Sequence, residues 1–205
     1  MKKIIICSLP LQIRNAKKYP SLDKSLEMPD KEIVFPVCGL LEKSLKPDDE
    51  LTIVLIERPG KIDCTKENAE TFKSEFMVAN SAIGAKYQFV ELKADFSETR
   101  EVQTDLLNRI IDCVEPGMHI IADITYGTKD IPILTFAACN FAEKFLNCEI
   151  DNIVYGQAEF NEKNEVVNTQ ICDMVPLYYL NSITNTIECD EPDKAKHLLK
   201  TLTSM

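Results

Sequence analysis

A short polar loop after an apolar run is the part of the sequence best suited to chemistry. Residues Thr125 to Asp130 run Thr-Tyr-Gly-Thr-Lys-Asp and precede a segment with a helical pattern. Threonine hydroxyls, the Lys129 ammonium and the free backbone N–H groups of a helix start are all anion-binding groups. Gly127 would let the backbone turn tightly or approach a ligand closely. The loop predicts a local anion site; the alternative is that Thr128 or Asp130 caps the helix and Lys129 is merely solvated.

A second candidate loop lies near the N-terminus, at Ser8, Leu9 and Pro10. No carboxylate precedes Asp23, so this loop belongs to a wholly acid-free segment. The basic side chains of that segment are Lys2, Lys3, Arg14, Lys17 and Lys18. An otherwise acidic chain thus places cations around this loop. A chance run of solvated lysines is the alternative interpretation.

Both loops are predicted to follow buried β-strands. Apolar runs rich in Ile, Val and Leu predict strands at Lys3 to Leu9, Leu51 to Ile56, Tyr87 to Leu92, His119 to Ile124 and Glu149 to Tyr155. Helical spacing predicts helices at Glu32 to Leu45, Lys66 to Ala82, after an N-cap at Ser97, and at Pro132 to Leu146. This alternation requires a parallel sheet with helices on both faces, an α/β Rossmann-like fold.

The pattern changes after the fifth strand. Gln157 to Phe160 and Glu165 to Ile171 flank the polar turn Asn161 to Asn164, which predicts a C-terminal β-hairpin, partly antiparallel to the sheet. A short helix near Pro176 to Ile183 follows. The last part of the chain is polar, with one weak helical stretch at Ala195 to Leu202.

The predicted domain covers residues 1–187, and residues 188–205 are a predicted tail that could link to an effector absent from this chain. In open α/β sheets, ligands bind outside the carboxyl ends of the strands, where the strand order reverses. For the common Rossmann order that point lies between the first and fourth strands. Both candidate loops leave those two strands, so we expect them to meet there.

The charge balance excludes several functions. The chain has 33 acidic and 23 basic side chains and a formal net charge of -10, so direct binding of long nucleic acids is not expected. There is no GxGxxG motif, and Gly127-Thr128-Lys129 is not a P-loop, because a P-loop places Lys directly after Gly. These observations disfavour a dehydrogenase or an NTPase.

Cysteine and histidine usage argues against a metal site. None of the eight cysteines forms a CxxC pair, and the only histidines are His119 and His197, so neither metal nor cofactor is expected. Most of the cysteines are predicted to be buried apolar residues of a reduced protein.

No apolar stretch approaches the ~20 residues that span a membrane, and no secretory signal is recognisable. The sequence predicts a cytoplasmic protein.

The segment Asp123 to Pro132, Asp-Ile-Thr-Tyr-Gly-Thr-Lys-Asp-Ile-Pro, resembles the D-x-T-H/Y-G-x-R/K-x-x-P signature of CARF domains, the CRISPR-associated Rossmann-fold sensors of type III systems. Phe89 to Val114 is similar to the strand, acidic loop and helix of that family, and Ile153 to Glu159 resembles its later Tyr-Gly-x-x-Glu strand. Ser8 to Pro10 falls where the family has its other ligand loop. The resemblance covers most of residues 1 to about 185.

The resemblance implies a homodimer that binds a cyclic tetra- or hexa-adenylate across its two-fold axis. A two-fold interface presents every residue twice, which suits a symmetric ring of phosphates. Hydrogen bonds to ribose or phosphate would come from Ser8 and Thr125, and Lys129 would pair with phosphate charge. Tyr126 replaces a histidine common in the family and would either stack on adenine or pack beneath the loop. The full implied ligand set is Ser8, Leu9, Pro10, Thr125, Tyr126, Gly127, Thr128 and Lys129.

Members of this family commonly carry a C-terminal effector, and none is recognisable here. The chain could be a sensor cut from a longer effector, a stand-alone sensor acting through a partner, or a ring nuclease that destroys the signal. In the last case Ser8, Thr125 and Lys129 would align the ribose 2′-hydroxyl with phosphorus and stabilise the developing charge without a metal. No histidine or tyrosine is placed as a general base, so slow turnover is expected.

A different Rossmann enzyme is the remaining alternative, with Asp123 or Glu159 in acid–base roles. Asp123 is instead expected to hold the Thr125 loop by hydrogen bonds, and Glu159 to face solvent on the hairpin. His119 precedes the fourth strand, away from the predicted cleft, and is expected to be structural. A transcription regulator is disfavoured by the acidic charge and the lack of a DNA-reading helix.

Overall fold

A computed structural model describes residues 1–23, 25–60, 63–163, 165–186 and 188–203 of the chain. The strands of this part are β1 (Lys2–Ser8), β2 (Glu50–Glu57), β3 (Lys86–Lys93), β4 (His119–Asp123), β5 (Glu149–Phe160) and β6 (Val166–Asp173). The helices are α1 (Pro36–Ser44), α2 (Thr65–Asn80), α3 (Arg100–Asp112), α4 (Asp130–Phe145), α5 (Val175–Thr186) and α6 (Pro192–Thr203).

The strands form a single six-stranded sheet in the order β3-β2-β1-β4-β5-β6. The first five strands are parallel, and β6 runs antiparallel to β5. The Ile- and Leu-rich strands β1, β2 and β4 are central and buried on both faces, which is why their sequences are continuously apolar. The predicted α/β Rossmann-like fold is confirmed, and the strand order reverses between β1 and β4.

Helices cover both faces of the sheet, each over its own apolar core. On one face, α1 and α2 bury a cluster that includes Phe35, Phe72 and Phe76. On the other face, α3 and α4 pack together over a cluster that includes Leu106 and Cys139. Burying a Phe or Leu side chain contributes about 1.5–3 kcal/mol, so the two clusters hold the sheet rigidly behind its carboxyl edge.

Helix α3 begins later than its sequence pattern predicts. The Thr99 hydroxyl accepts a hydrogen bond from the backbone N–H of Val102, so Thr99 is the N-cap. The prediction that Ser97 caps this helix is wrong. The Ser97 N–H donates to Asp95 Oδ1 at 2.8 Å, in a turn that precedes the helix.

Helix α1 begins at Pro36 rather than at the predicted Glu32, with the proline at the first helical positions. The two residues before it are fixed from outside the helix. Glu75 on α2 accepts hydrogen bonds from the N–H groups of Val34 and Phe35, at 2.6 and 2.9 Å. This carboxylate therefore ties the entry of α1 to α2.

Strand β5 is longer than predicted. The predicted fifth strand and the first strand of the hairpin form one 12-residue strand, in which Gly156 pairs with Ile171 of β6. In the turn that follows, Asn161 Oδ1 accepts hydrogen bonds from the N–H groups of Lys163 and Glu165. Asn164, which the prediction placed in this turn, lies outside the described residues. The antiparallel hairpin itself is confirmed.

A long irregular connection, residues 9–35, joins β1 to α1 and was not predicted. Lys17 and Ile33 form an antiparallel bridge within it, and Ser21 forms a parallel bridge to Ile171 of β6. The N–H of Ile171 donates to the carbonyl of Pro20 at 3.1 Å. The connection therefore crosses the carboxyl edge of the sheet from β1 to β6 and adds a wall above β4 and β5.

The C-terminal segments are helical beyond the predicted stretches. Helix α5 spans Val175–Thr186, and α6 spans Pro192–Thr203 where only Ala195 to Leu202 was predicted. Residue 187, at the predicted domain boundary, and residues 204–205 lie outside the described part, so the division of the chain stays a prediction. No helix of the described residues is long and apolar enough to cross a membrane.

The cysteines are less uniformly buried than predicted. All eight lie within the described residues and none forms a disulfide. Four are buried, namely Cys7, Cys38, Cys139 and Cys148, while Cys189 is exposed and the remaining three are intermediate. Burial raises the pKa of the Cys7 thiol well above its ordinary value, so this side chain is an inert apolar group.

Candidate functional site

The two candidate loops meet at the carboxyl edge of the sheet, as predicted. Strands β1 and β4 are neighbours with Cys7 opposite Asp123, so the loops that leave them start side by side. Gly127 has φ +101, and a Cβ built on it would collide with Ser8 Oγ. Only a glycine allows the Ser8 hydroxyl to come so close to the second loop.

Ser8 is 3% exposed and its hydroxyl has no hydrogen-bond partner within the described residues. Leu9 and Pro10 are buried with their backbone groups already engaged. The Leu9 N–H donates to the carbonyl of Ile56, and the Pro10 carbonyl accepts from Asn68 Nδ2 at 2.7 Å. Of this loop, Ser8 is the one with a free polar group, while Leu9 and Pro10 position it.

Asp123 has the structural role expected of it. Its Oδ1 accepts the Thr125 N–H at 2.8 Å, and its Oδ2 accepts the Val37 N–H at 3.1 Å, at the start of α1. Burial raises the pKa of Asp123, although these hydrogen bonds work in the opposite direction. With both oxygens engaged and the side chain 2% exposed, Asp123 anchors the loop and has no access to a substrate.

Thr125 and Tyr126 face the wall formed by the 9–35 connection. Thr125 Oγ1 accepts the Gly156 N–H at 2.8 Å, and the Thr125 hydroxyl also hydrogen-bonds the Asp123 carboxyl, which works to lower the pKa of Asp123. The Tyr126 hydroxyl donates to the carbonyl of Val34 at 2.8 Å, and its ring packs edge-on against Phe35. Burial raises the pKa of Tyr126 far above its ordinary value. Of the two roles considered for Tyr126, packing beneath the loop is the one its contacts support.

Thr128 turns away from the other loop residues, toward an arginine that sequence reasoning missed. Arg58 follows β2 and is 3% exposed; its Nη1 donates to Thr128 Oγ1 at 2.9 Å and to Asp130 Oδ1 at 3.1 Å. Its Nη2 lies 2.9 Å from Asp130 Oδ2. The Thr128 hydroxyl donates to Asp130 Oδ1. The Thr128 side chain is therefore committed internally, and only its backbone remains for a ligand.

Asp130 is held as a carboxylate by these contacts. Burial on its own would raise the pKa of Asp130, but the Thr128 hydroxyl and the Arg58 guanidinium outweigh it and lower the pKa. Neither Thr128 nor Lys129 caps α4 through its side chain. The signal available in the sequence was an arginine directly at the carboxyl end of a strand, but nothing local links it to Thr128.

A cleft of about 490 Å³ opens beside Thr125, between the 9–35 connection and β5. Two cations, Arg14 and Lys17, and two exposed aromatic rings, Tyr155 and Phe160, line it. Neither of the cations has an ion-pair partner in the described part of the chain, and the same is true of the exposed Lys129. The cleft combines unpaired positive charge with aromatic surface, the combination that binds nucleotides.

The remaining candidates lie elsewhere. Glu159 is exposed on the hairpin, with its Oε2 3.4 Å from Asn168 Nδ2, as predicted.

His119 is at the opposite edge of the sheet, with Nδ1 2.8 Å from Asp151 Oδ1 and 3.7 Å from Glu149 Oε2. These three side chains have the types and spacing to hold a metal ion. The ammonium of Lys3, 3.8 Å from Asp151, already neutralises part of that charge.

Two comparisons with known proteins find no match. The sequence matches no protein-family model, and it matches no curated protein significantly. The resemblance to CARF domains therefore stays a prediction from the sequence.

Proposed function

We propose that this chain is a sensor domain that binds a cyclic oligoadenylate, with two copies contributing the same loops across a two-fold axis. One observation carries the proposal: the Ser8 and Gly127 loops touch at the reversal of strand order, where α/β sheets bind ligands. A cleft that Thr125 and Tyr126 line, although Ser8 and Lys129 do not, supplies cations and aromatic rings to a ligand that contains both phosphates and adenines. The ligand class is the one that the resemblance of Asp123 to Pro132 to the CARF signature implies.

The division of labour within the site follows from the contacts. Lys129 is available to a phosphate, because it is exposed and has no ion-pair partner among the described residues, whereas Thr128 and Asp130 bind Arg58. At the start of α4 the Ile131 N–H already donates to the Thr128 carbonyl, and Pro132 has no N–H. The Ser8 hydroxyl would donate to the ligand, whereas the Thr125 hydroxyl already hydrogen-bonds Asp123 and accepts from Gly156. Tyr155 and Phe160 offer exposed rings on which adenines stack, in place of the buried Tyr126.

Calorimetric titration of cyclic tri-, tetra- and hexa-adenylate tests the proposal. Lys129→Ala removes one charge-assisted contact from each of the two copies, each contributing about 1.5–3 kcal/mol, so binding should weaken roughly 100- to 10,000-fold. Lys43→Ala is the matched control, since Lys43 is exposed in the last turn of α1 and has no ion-pair partner among the described residues. No binding by the wild type, or equal losses in both variants, would contradict the proposal.

A ring nuclease is the second candidate, favoured by the unpartnered Ser8 hydroxyl beside the Gly127 loop. Ser8, Thr125 and Lys129 would orient a phosphodiester for attack by the adjacent 2′-hydroxyl, which expels the 5′-oxygen and leaves a 2′,3′-cyclic phosphate. The raised pKa of Tyr126 removes it as a general base, so turnover should be slow. Incubation with the ring in a chelator, followed by mass spectrometry, tests this candidate; an intact ring with excess protein rules it out.

A further inference from the structure

Three metal-ligating side chains, those of His119, Glu149 and Asp151, meet at the amino edge of the sheet and are called the His119 cluster below. The His119 Nδ1 lies 2.8 Å from Asp151 Oδ1 and 3.7 Å from Glu149 Oε2. One donor atom from each of the three side chains lies within 4.8 Å of the other two. An imidazole nitrogen and carboxylate oxygens are donors that divalent first-row metal ions accept together.

Two neighbouring strands hold the His119 cluster together. His119 is the first residue of β4 and pairs with Glu149, the first residue of β5. The ladder then shifts register between Ile120 and Ile121, so Asp151 is an extra residue on β5. Such a shift re-aims a side chain, and here it accompanies a carboxylate that lies against His119 Nδ1. Because the cluster is assembled from two strands, the spacing of its members in the sequence does not reveal it.

The distances between the donor atoms are close to those around a bound metal ion. Zinc binds His nitrogen and carboxylate oxygen at about 2.0–2.2 Å, which places neighbouring donors roughly 3.0–3.5 Å apart. His119 and Asp151 would separate slightly, and Glu149 can follow by a change of rotamer, because its side chain is 75% exposed. Nδ1 of His119 is free to bind an ion once the ring proton is on Nε2, in the other neutral tautomer.

Negative charge at the His119 cluster exceeds the positive charge that nearby side chains supply. Lys3 Nζ lies 3.8 Å from Asp151 Oδ2, but it lies closer to the buried Asp49, at 3.4 Å from Oδ2. Glu149 has no lysine or arginine as an ion-pair partner within the described residues. A divalent cation can therefore bind Glu149 and Asp151 while Lys3 keeps its pair with Asp49.

We propose that the His119 cluster binds one divalent first-row metal ion, such as Mn²⁺ or Zn²⁺, through His119 Nδ1 and one carboxylate oxygen each from Glu149 and Asp151. Water completes the coordination, as it does at other sites with three protein ligands. The ion joins the amino ends of β4 and β5. It stabilises the folded chain, because the unfolded chain does not hold these donors together.

The metal site and the proposed ligand site lie at opposite edges of the sheet. Strand β4 has five residues, and a strand rises about 3.3 Å per residue, so the His119 cluster is roughly 15 Å from the loop that follows Asp123. The inference goes beyond the proposed function and does not depend on it.

Titration of the full, tag-free and reduced chain with Mn²⁺ tests the site, with the electron paramagnetic resonance signal of free aqueous Mn²⁺ as the readout. Mn²⁺ prefers oxygen and nitrogen donors, so the eight cysteines compete little for it. The wild type should bind a single Mn²⁺ per chain. Loss of a group that only orients a metal ligand weakens binding about 10- to 100-fold, so Asp151→Asn, which removes the charge of a direct ligand, should weaken it at least ~10-fold.

Glu115→Gln is the matched control for charge. Glu115 is exposed at the same edge of the sheet, where its Oε2 lies 2.6 Å from Lys2 Nζ. The substitution removes the same charge as Asp151→Asn but outside the His119 cluster, so this variant should bind Mn²⁺ nearly as the wild type does. Both variants should keep the circular dichroism of the wild type.

Electron spin-echo modulation of the bound Mn²⁺ tests the imidazole ligand. A directly bound nitrogen should modulate the echo of the wild-type complex, and His119→Gln should abolish that modulation. His197→Gln is the control, because His197 is the only other histidine and is exposed on α6. Excess Mn²⁺ should also raise the melting temperature of the wild type but not that of Asp151→Asn.

Three results would each overturn the inference: no saturable Mn²⁺ binding by the wild type, equal weakening in Asp151→Asn and Glu115→Gln, or nitrogen modulation that survives in His119→Gln. Equal weakening would mean that Mn²⁺ is attracted only by the general acidity of this edge. The outcome is separate from that of ligand binding, since a chain that binds Mn²⁺ at the His119 cluster but no cyclic oligoadenylate refutes the proposed function alone.

Discussion

At the scale of single residues, the contact between Gly127 and Ser8 determines whether the two loops meet. Any other residue at 127 would place a Cβ against Ser8 Oγ and would also strain a backbone with φ +101. Glycine is therefore required at 127 for two reasons: the positive φ of the backbone and the lack of space beside Ser8.

Gly127→Ala should lower the free energy of unfolding by about 2–5 kcal/mol, the sum of a left-handed backbone penalty and local overpacking. Gly84→Ala is the matched control, because Gly84 also has a positive φ, +78, but nothing lies within 4 Å of its added Cβ. That variant should lose only about 1–2 kcal/mol. Urea denaturation of both variants measures the difference, and equal losses would show that Ser8 does not crowd Gly127.

The buried pair of Arg58 and Asp130 predicts a pH dependence. Asp130→Asn leaves the Arg58 charge uncompensated in the interior and should cost about 3–5 kcal/mol at neutral pH. Because the pKa of Asp130 is lowered in the folded state, the unfolded chain takes up the proton first as the pH falls. The pair's contribution is therefore present above the unfolded pKa of ~3.9 and is lost as the pH falls through the lower folded pKa.

Urea titrations at neutral pH and near pH 3 measure the stability difference between the wild type and Asp130→Asn, which should shrink at the lower pH. Asp105→Asn is the control, since its pair with Arg109 on α3 is exposed and should contribute less than ~1 kcal/mol at any pH. A difference that stays constant with pH would mean that folding does not lower the pKa of Asp130.

Thr128 shows how far the site could be predicted at this scale. Its place in a polar loop at a strand end was evident from its neighbours, and so was the anchoring role of Asp123. Arg58, which donates a hydrogen bond to the Thr128 hydroxyl, is 70 positions away in the sequence. Such a pairing depends on the packing of β2 against β1 and β4, which no local pattern encodes.

At the scale of elements, the starts of the helices were harder to predict than their cores. In α3, Leu106 and Ile110 are buried as their spacing predicts, yet the helix starts after Thr99. Ser97 and Thr99 are both good caps by residue type. The turn in which the Ser97 N–H donates to Asp95 holds Ser97 outside the helix, so Thr99 becomes the cap. Cap preferences of single residues do not predict such a turn.

Thr99→Ala should destabilise the protein by about 1 kcal/mol, because the Val102 N–H loses its acceptor. Ser97→Ala should change the free energy of unfolding by less than ~0.5 kcal/mol. Thermal unfolding of both variants, followed by circular dichroism, makes the comparison. A larger loss for Ser97→Ala would restore the earlier helix start.

At the scale of the whole molecule, charge is distributed unevenly around the cleft. The net charge is -10, yet Arg14 and Lys17 line the cleft without carboxylate partners among the described residues. A compact anion can reach these cations, whereas a long polyanion would also have to lie along the acidic surface.

A linear oligoadenylate several times the length of the ring should therefore bind much more weakly than the ring itself at physiological salt. Fluorescence anisotropy with the labelled strand, and competition by unlabelled ring, measures the contrast. Rising salt should weaken ring binding, since its phosphates contact cations. A linear strand that binds as tightly as the ring would show that the acidic surface does not select against polymers.

The bridge between Ser21 and Ile171 has a consequence for how the protein folds. The wall of the cleft joins residues about 150 positions apart in the chain, so it cannot assemble until β6 has been synthesised and paired with β5. Contacts of such long sequence separation form slowly and late. The part of the 9–35 connection that bridges to β6 therefore docks only after the β5–β6 hairpin has formed. A ligand that fills the cleft would hold it in place, and its binding would appear as slower unfolding as well as a higher melting temperature.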